Sequence, residues 1–258
     1  MKDKLLIFTI TPGRSGSKYL STILNALQDV DATHEPEPSF AYYYPLILEN
    51  KLSYQEFWNI KIDYILENYN KNIYVETSHI FSFGFVDSFI KIYPNFKIIL
   101  LQRDIRDITL SFYQLNGIPG SSKKVKRHTL YPTDNNNIYL KLPLNIINIM
   151  SDYQLCYWYV LEIFYRMFLC LNKNYSVELN LDDLKDEYKI TEFLNKLDIP
   201  IDNEFFINWE NIKNLKINEK KEKKDFFKIP SYIQQQEEYI KDNILIKNKD
   251  KFFKKYNI

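Results

Sequence analysis

Residues 5–27, LLIFTITPGRSGSKYLSTILNAL, decide how this chain is read. Leu5–Ile10 is an unbroken apolar run of strand length, with the composition of a buried strand. Thr11-Pro12-Gly13-Arg14-Ser15-Gly16-Ser17 interrupts it with small residues and a proline, the chemistry of a tight loop. From Lys18 the apolar residues return as Leu20, Ile23, Leu24 and Leu27, the i, i+3, i+4, i+7 stripe of an amphipathic helix. A strand, a glycine-bearing loop and a helix N-terminus in that order make an anion site. The first helical N–H groups lack partners, the helix dipole is positive there, and glycine lets an anion approach the backbone. Gly13, Arg14, Ser15, Gly16, Ser17 and Lys18 are therefore candidate binding residues, with Arg14 and Lys18 adding full charges.

The loop departs from the Walker A pattern, in which a lysine followed by a hydroxyl residue serves the phosphates and magnesium. Here Gly16 is followed by Ser17-Lys18-Tyr19, which puts both groups out of register. A small ATP- and magnesium-dependent kinase is thereby the less favoured reading, and a donor that needs no metal the preferred one.

The 258 residues fit one α/β domain, a central parallel β-sheet flanked by helices, over 1–258. Lys and Arg (34) nearly balance Asp and Glu (33), so no overall field points to nucleic acid or a membrane surface. Leu155–Leu171 is apolar, but Glu162 and Arg166 interrupt it, so no membrane span is expected. Cys156 and Cys170 have no metal-ligand spacing and read as buried thiols of a reducing, cytoplasmic compartment.

Further along, Asp31-Ala32-Thr33 reads as a short strand running into His34-Glu35-Pro36-Glu37-Pro38, where two prolines rule out helix and central strand. Glu35 then lies just past a strand end, the edge where open α/β sheets bind ligands, and is a candidate general base, with His34 a lesser one. Ser39–Glu49 and Ser53–Tyr69 have helical patterns; their Tyr42, Tyr43, Tyr44, Phe57 and Trp58 suit a core face or a pocket. Asn72–Thr77 reads as a third strand, with His79 after its end as a second base candidate. After a short helix over Val86–Tyr93, Phe96–Leu101 is the most strand-like run of the chain and lacks polar alternation, as a central parallel strand does. It ends in Gln102-Arg103-Asp104-Ile105-Arg106-Asp107 before another helical pattern. This second strand–charged turn–helix unit predicts Arg103 near the anion loop, Asp107 as N-cap and Ser111 one turn in.

These segments carry a family resemblance. Arg103–Tyr113, RDIRDITLSFY, resembles the 3′-phosphate-binding segment of sulfotransferases, R-[DN]-x-[RK]-D-x-x-x-S-[FY]-[FY], with Arg103 and Ser111 on its two phosphate-binding positions. TPGRSGSKYL resembles the family's 5′-phosphosulfate loop, [KR]-S-G-[ST]-[ST]-x-[LW], with Arg14 on the basic position. Asn180–Leu184, NLDDL, is similar to the family's Y-E-D-L segment, with Leu181 standing where the tyrosine would be. The resemblance implies a P-loop-like phosphosulfate-binding loop and PAPS (3′-phosphoadenosine 5′-phosphosulfate) as donor. It implies sulfuryl transfer to a hydroxyl or amine of a small-molecule or carbohydrate acceptor, with Arg14 at the reacting group. The base follows one of two family patterns. The position of Glu35 resembles that of the glutamate of tyrosylprotein sulfotransferases. Thr77-Ser78-His79 resembles the T-H of small-molecule cytosolic enzymes, without the lysine expected before it. The loop geometry favours Glu35. A catalytically silent nucleotide-binding module is the other alternative to the enzyme.

Asn116–Lys141 is a long polar loop with the basic run Lys123–His128, read as a solvated segment or as an acceptor gate. Ser151–Lys173 predicts a long core helix, Tyr175–Asn180 a last parallel strand and Thr191–Leu197 a short helix. Residues 211–258 form a charged C-terminal segment in which Lys220, Lys221, Lys223 and Lys224 cluster.

Overall fold

Leu5–Ile10 does form a strand, and it occupies the middle of a five-stranded sheet. The structure, a computed structural model, describes residues 4–134, 138–215 and 231–258; the lysine cluster at 220–224 lies outside them. In chain order the elements are β1 (Leu5–Ile10), α1 (Ser17–Leu24), β2 (Val30–His34), α2 (Phe40–Leu48), α3 (Tyr54–Asn68), β3 (Ile73–Thr77), α4 (Phe85–Ile92) and β4 (Phe96–Gln102). They continue with α5 (Ile105–Gln114), α6 (Lys123–Lys126), α7 (Leu144–Ile147), α8 (Asp152–Cys170), β5 (Ser176–Asn180), α9 (Glu187–Lys196), α10 (Asn203–Ile212), α11 (Ile233–Asn243) and α12 (Lys249–Tyr256). Packing divides the chain into two compact units, residues 1–103 with 171–219, and 104–170 with 220–258.

The first unit holds the whole sheet. Its strand order is β2-β3-β1-β4-β5, and every pairing is parallel. Alternate residues of each strand face opposite layers. Ile7, Val75, Ile99, Leu101, Val177 and Leu179 pack with Leu20, Ile23 and Leu24 of α1, Phe193 of α9 and Trp209 of α10. Phe8 faces the other way, with its ring against Phe40, Trp58, Phe81 and Phe89. A sheet buried on both faces needs continuous apolar strands, which is why β4 shows no polar alternation. Phe57 and Trp58 are fully buried in this aromatic layer and are core, not pocket lining. Helix α3 starts where Ser53 and Glu56 satisfy each other's backbone N–H groups in a capping box.

The second unit is helical and is built on α8, which is buried on nearly all sides from Tyr153 to Met167. Phe112 of α5 stacks edge-on against Tyr159, and Tyr256 and Phe252 of α12 meet Phe164 and Tyr165. The two charges that interrupt the apolar run of α8 satisfy one another. Arg166 Nη2 lies 2.7 Å from Glu162 Oε1, and Glu162 also accepts the backbone N–H groups of Tyr139 and Leu140. The end of the 116–141 loop is thus tied to α8, and Ile118, Leu130, Ile138 and Leu140 are buried. No helix among the described residues is long and apolar enough to cross a membrane.

Two local expectations need correction, and one segment holds more structure than its charge suggested. The N-cap of α5 is Asp104, whose carboxylate accepts the N–H of Asp107; the helix begins one turn before the position expected for it. The helix expected at Thr191 begins at Glu187, capped by Asp186, because a short polar side chain there accepts the N–H of Lys189. The charged segment after 211 contains α11 and α12, which bury Glu237, Ile240 and Phe252. Mixed charge hid their narrow apolar stripes.

Candidate active site

The site grows from the C-terminal ends of β1, β2, β3 and β4, which the parallel alignment brings to one edge of the sheet. β1 leads to β2 on one side, and β4 leads to β5 on the other, so the chain diverges between β1 and β4. Open α/β sheets bind ligands at such a point.

The loop after β1 is held from below. Thr11 Oγ1 donates to the carbonyl of Leu101 at 2.8 Å and lies 2.6 Å from Ser15 Oγ, coupling β1, its loop and β4. Arg14 has φ +70° and Gly16, the N-cap of α1, has φ +90°. The left-handed backbone at Gly16 favours glycine, and a Cβ there would press on the Leu181 side chain. This turn leads into the first turn of α1, whose N–H groups have no partner within the helix. From β4, Arg103 Nη1 donates to the carbonyl of Arg14 at 3.2 Å. Burial, and then the neighbouring Arg103 guanidinium, lowers the pKa of Arg14. Two guanidinium groups beside a helix N-terminus form a strongly anion-attracting corner. Ser111 lies in α5, in the helical unit.

On the other side of β1, the two base candidates meet. Glu35 Oε1 is 2.8 Å from His79 Nδ1, which donates to the carboxylate; the side chains are 34% and 11% exposed. Adjacent strands β2 and β3 end in register, His34 opposite Thr77, and this puts residues 44 apart in sequence side by side. His34 Nδ1 donates to the Thr77 carbonyl at 2.8 Å. Burial lowers its pKa, Lys18 adds to that, and Glu35 opposes it.

Sequence reasoning passed over one feature here. Lys61 and Glu76, both fully buried, form an ion pair of 2.7 Å beneath the Glu35 loop. Lys61 falls on the apolar stripe of α3 with Phe57, Trp58 and Ile65, and a lysine on that stripe is the signal that could have marked it. Burial pushes the Glu76 carboxyl upward, and Lys61 acts against that.

A parallel sheet with a cationic, glycine-turned loop at its switch point and a carboxylate–imidazole pair beside it defines the class as an open-sheet α/β protein. The chain belongs to the sulfotransferase family: the family's sulfotransferase domain matches residues 3–144, more than half of the 258. The fold is similar to that of the sulfotransferase domain from the curacin biosynthetic pathway, at 13% identity and a TM-score of 0.50 over 81% of this chain and 78% of that one. It is also similar to the sulfotransferase domain of the Synechococcus PCC 7002 olefin synthase, at 10% identity and a TM-score of 0.51 over 100% of this chain and 96% of that one. No curated protein matches the chain in sequence.

Proposed function

We propose that this chain transfers a sulfuryl group from PAPS to a hydroxyl or amine of a small-molecule or carbohydrate acceptor, without a metal ion. Family membership supports the reaction class, and one geometric observation supports the donor site: the contact of Arg103 with the Arg14 carbonyl at the switch point. The donor set suits a polyanion, because Arg14 and Arg103 bring two guanidinium groups to that corner and the backbone adds N–H groups. Arg14 and the N–H groups of Ser15, Gly16, Ser17 and Lys18 would hold the 5′-phosphosulfate, in the loop that begins at Gly13. Arg103 would hold the 3′-phosphate; Ser111 joins it on the strength of the sulfotransferase motif.

PAPS supplies an activated sulfuryl group, and the residues do the rest. As the acceptor oxygen or nitrogen bonds to sulfur, the sulfur–oxygen bond to the phosphate breaks, releasing adenosine 3′,5′-bisphosphate. The acceptor proton goes to Glu35, the more exposed member of the pair, while His79 donates Nδ1–H to the same carboxylate and holds its orientation. Arg14 and the loop N–H groups stabilise the charge that develops on the leaving phosphate. Fixing the far phosphate through Arg103 turns binding energy into alignment.

Thermal unfolding with adenosine 3′,5′-bisphosphate, beside adenosine 5′-phosphate and ATP with magnesium, tests this reading. At about a hundred times its Kd a ligand adds ~2.7 kcal/mol, or roughly 5–10 °C in Tm for a chain of this size. The bisphosphate should stabilise the wild type but not Arg103→Ala. Stabilisation by ATP with magnesium and not by the bisphosphate would overturn the donor assignment.

A further inference from the structure

A buried lysine–glutamate pair is a poor way to stabilise a core, since apolar residues of similar volume do as well or better. Here the pair is also incompletely satisfied: Glu76 Oε1 is buried without a hydrogen-bond partner. What the pair does hold is backbone. Lys61 Nζ donates to the Pro38 carbonyl at 2.8 Å and reaches that of Pro36 at 3.5 Å, on the segment that follows Glu35. Glu76 Oε2 receives Lys61 at 2.7 Å and the Tyr74 hydroxyl at 2.8 Å. The Tyr74 hydroxyl in turn accepts from Thr33 Oγ1 at 3.2 Å, just before Glu35. The chain Thr33–Tyr74–Glu76–Lys61–Pro38 therefore grips the Glu35 segment from both sides. Glu35 itself sits at φ +51°, a left-handed conformation that a non-glycine residue keeps only when its surroundings impose it.

We infer that Lys61 and Glu76 are positioning residues, a buried clamp that holds the Glu35 backbone so that its carboxylate meets His79. The catalytic consequence rests on the proposed role of Glu35 as base; the positional one does not. Neither residue touches the Arg14 loop through any contact described above, so donor binding is left alone.

The test uses the full chain and the double variant Lys61→Met/Glu76→Gln, which removes both charges together and leaves an acceptor for Tyr74. If that variant does not fold, Lys61→Met/Glu76→Met carries the same prediction. The direct readout is the downfield His79 Nδ1–H resonance in proton–nitrogen NMR spectra, protected in the wild type by its bond to Glu35 and absent in Glu35→Ala. It should be lost in the folded double variant. With turnover, kcat should fall about 10- to 100-fold, while the Kd for adenosine 3′,5′-bisphosphate stays within twofold. A folded variant that keeps both the resonance and wild-type kcat overturns the clamp. If the wild type turns over no acceptor, the sulfotransferase mechanism falls, and the resonance alone decides the clamp.

Discussion

Glu35 and His79 share a hydrogen bond of 2.8 Å, so their removal should not be additive. Glu35→Ala is expected to lower kcat by ~10²–10⁴, the usual contribution of a general base. His79→Ala should cost less, and the double variant no more than Glu35→Ala alone, if His79 acts through the carboxylate as proposed. Losses that multiply, measured as kcat at saturating donor, would show two independent groups instead. In the anion loop, Gly16→Ala places a side chain at φ +90° and against Leu181. It should cost ~1–3 kcal/mol in chemical unfolding and weaken bisphosphate binding. Each of these residues was legible in the sequence by its type and its place beside a strand or helix end. The partnership of Glu35 with His79 was not. In the sequence they stood as rivals, since nothing local links residues 44 apart.

At the scale of the element, starts and stops are set by single side chains. Asp104 caps α5 by accepting the Asp107 N–H at 2.8 Å, so Asp104→Ala should lower stability by ~0.5–2 kcal/mol in urea titration. An unchanged midpoint would mean that the cap contributes nothing. The sequence reading places the cap at Asp107, one turn too late, because an aspartate stands at both positions and propensity does not choose between them. Helix α8 was legible as a long core helix, but its charges read as interruptions. Glu162 and Arg166 are instead its link to residues 139–140. Arg166→Ala leaves Glu162 buried without its counter-charge and should cost ~3–5 kcal/mol, the loss expected when one member of a buried pair is removed. A loss under 1 kcal/mol would mean that Glu162 reaches solvent or protonates at little cost.

For the molecule as a whole, pH enters through His34. Its pKa is lowered chiefly by burial, so below the usual imidazole value of about 6.5 the unfolded chain takes up a proton before the folded one does. This part of the stability is therefore present above about pH 6.5 and is lost as pH falls from there to the folded value. His34→Asn, which keeps a donor for the Thr77 carbonyl, should flatten the decline of the urea midpoint between about pH 7 and 5. Parallel curves for variant and wild type would assign the decline to other groups. By itself the sequence determined the strand–loop–helix units, the parallel sheet, the glycine-bearing loop after β1 and the placing of Arg103 at a strand end. All of these follow from periodicity and turn chemistry within a few residues. The tertiary structure alone decided the pairing of Glu35 with His79 and the burial of Lys61 against Glu76. Those depend on the order β2-β3-β1-β4-β5, which is settled by how the helices pack the two sheet faces, and no local pattern encodes which strand ends become neighbours.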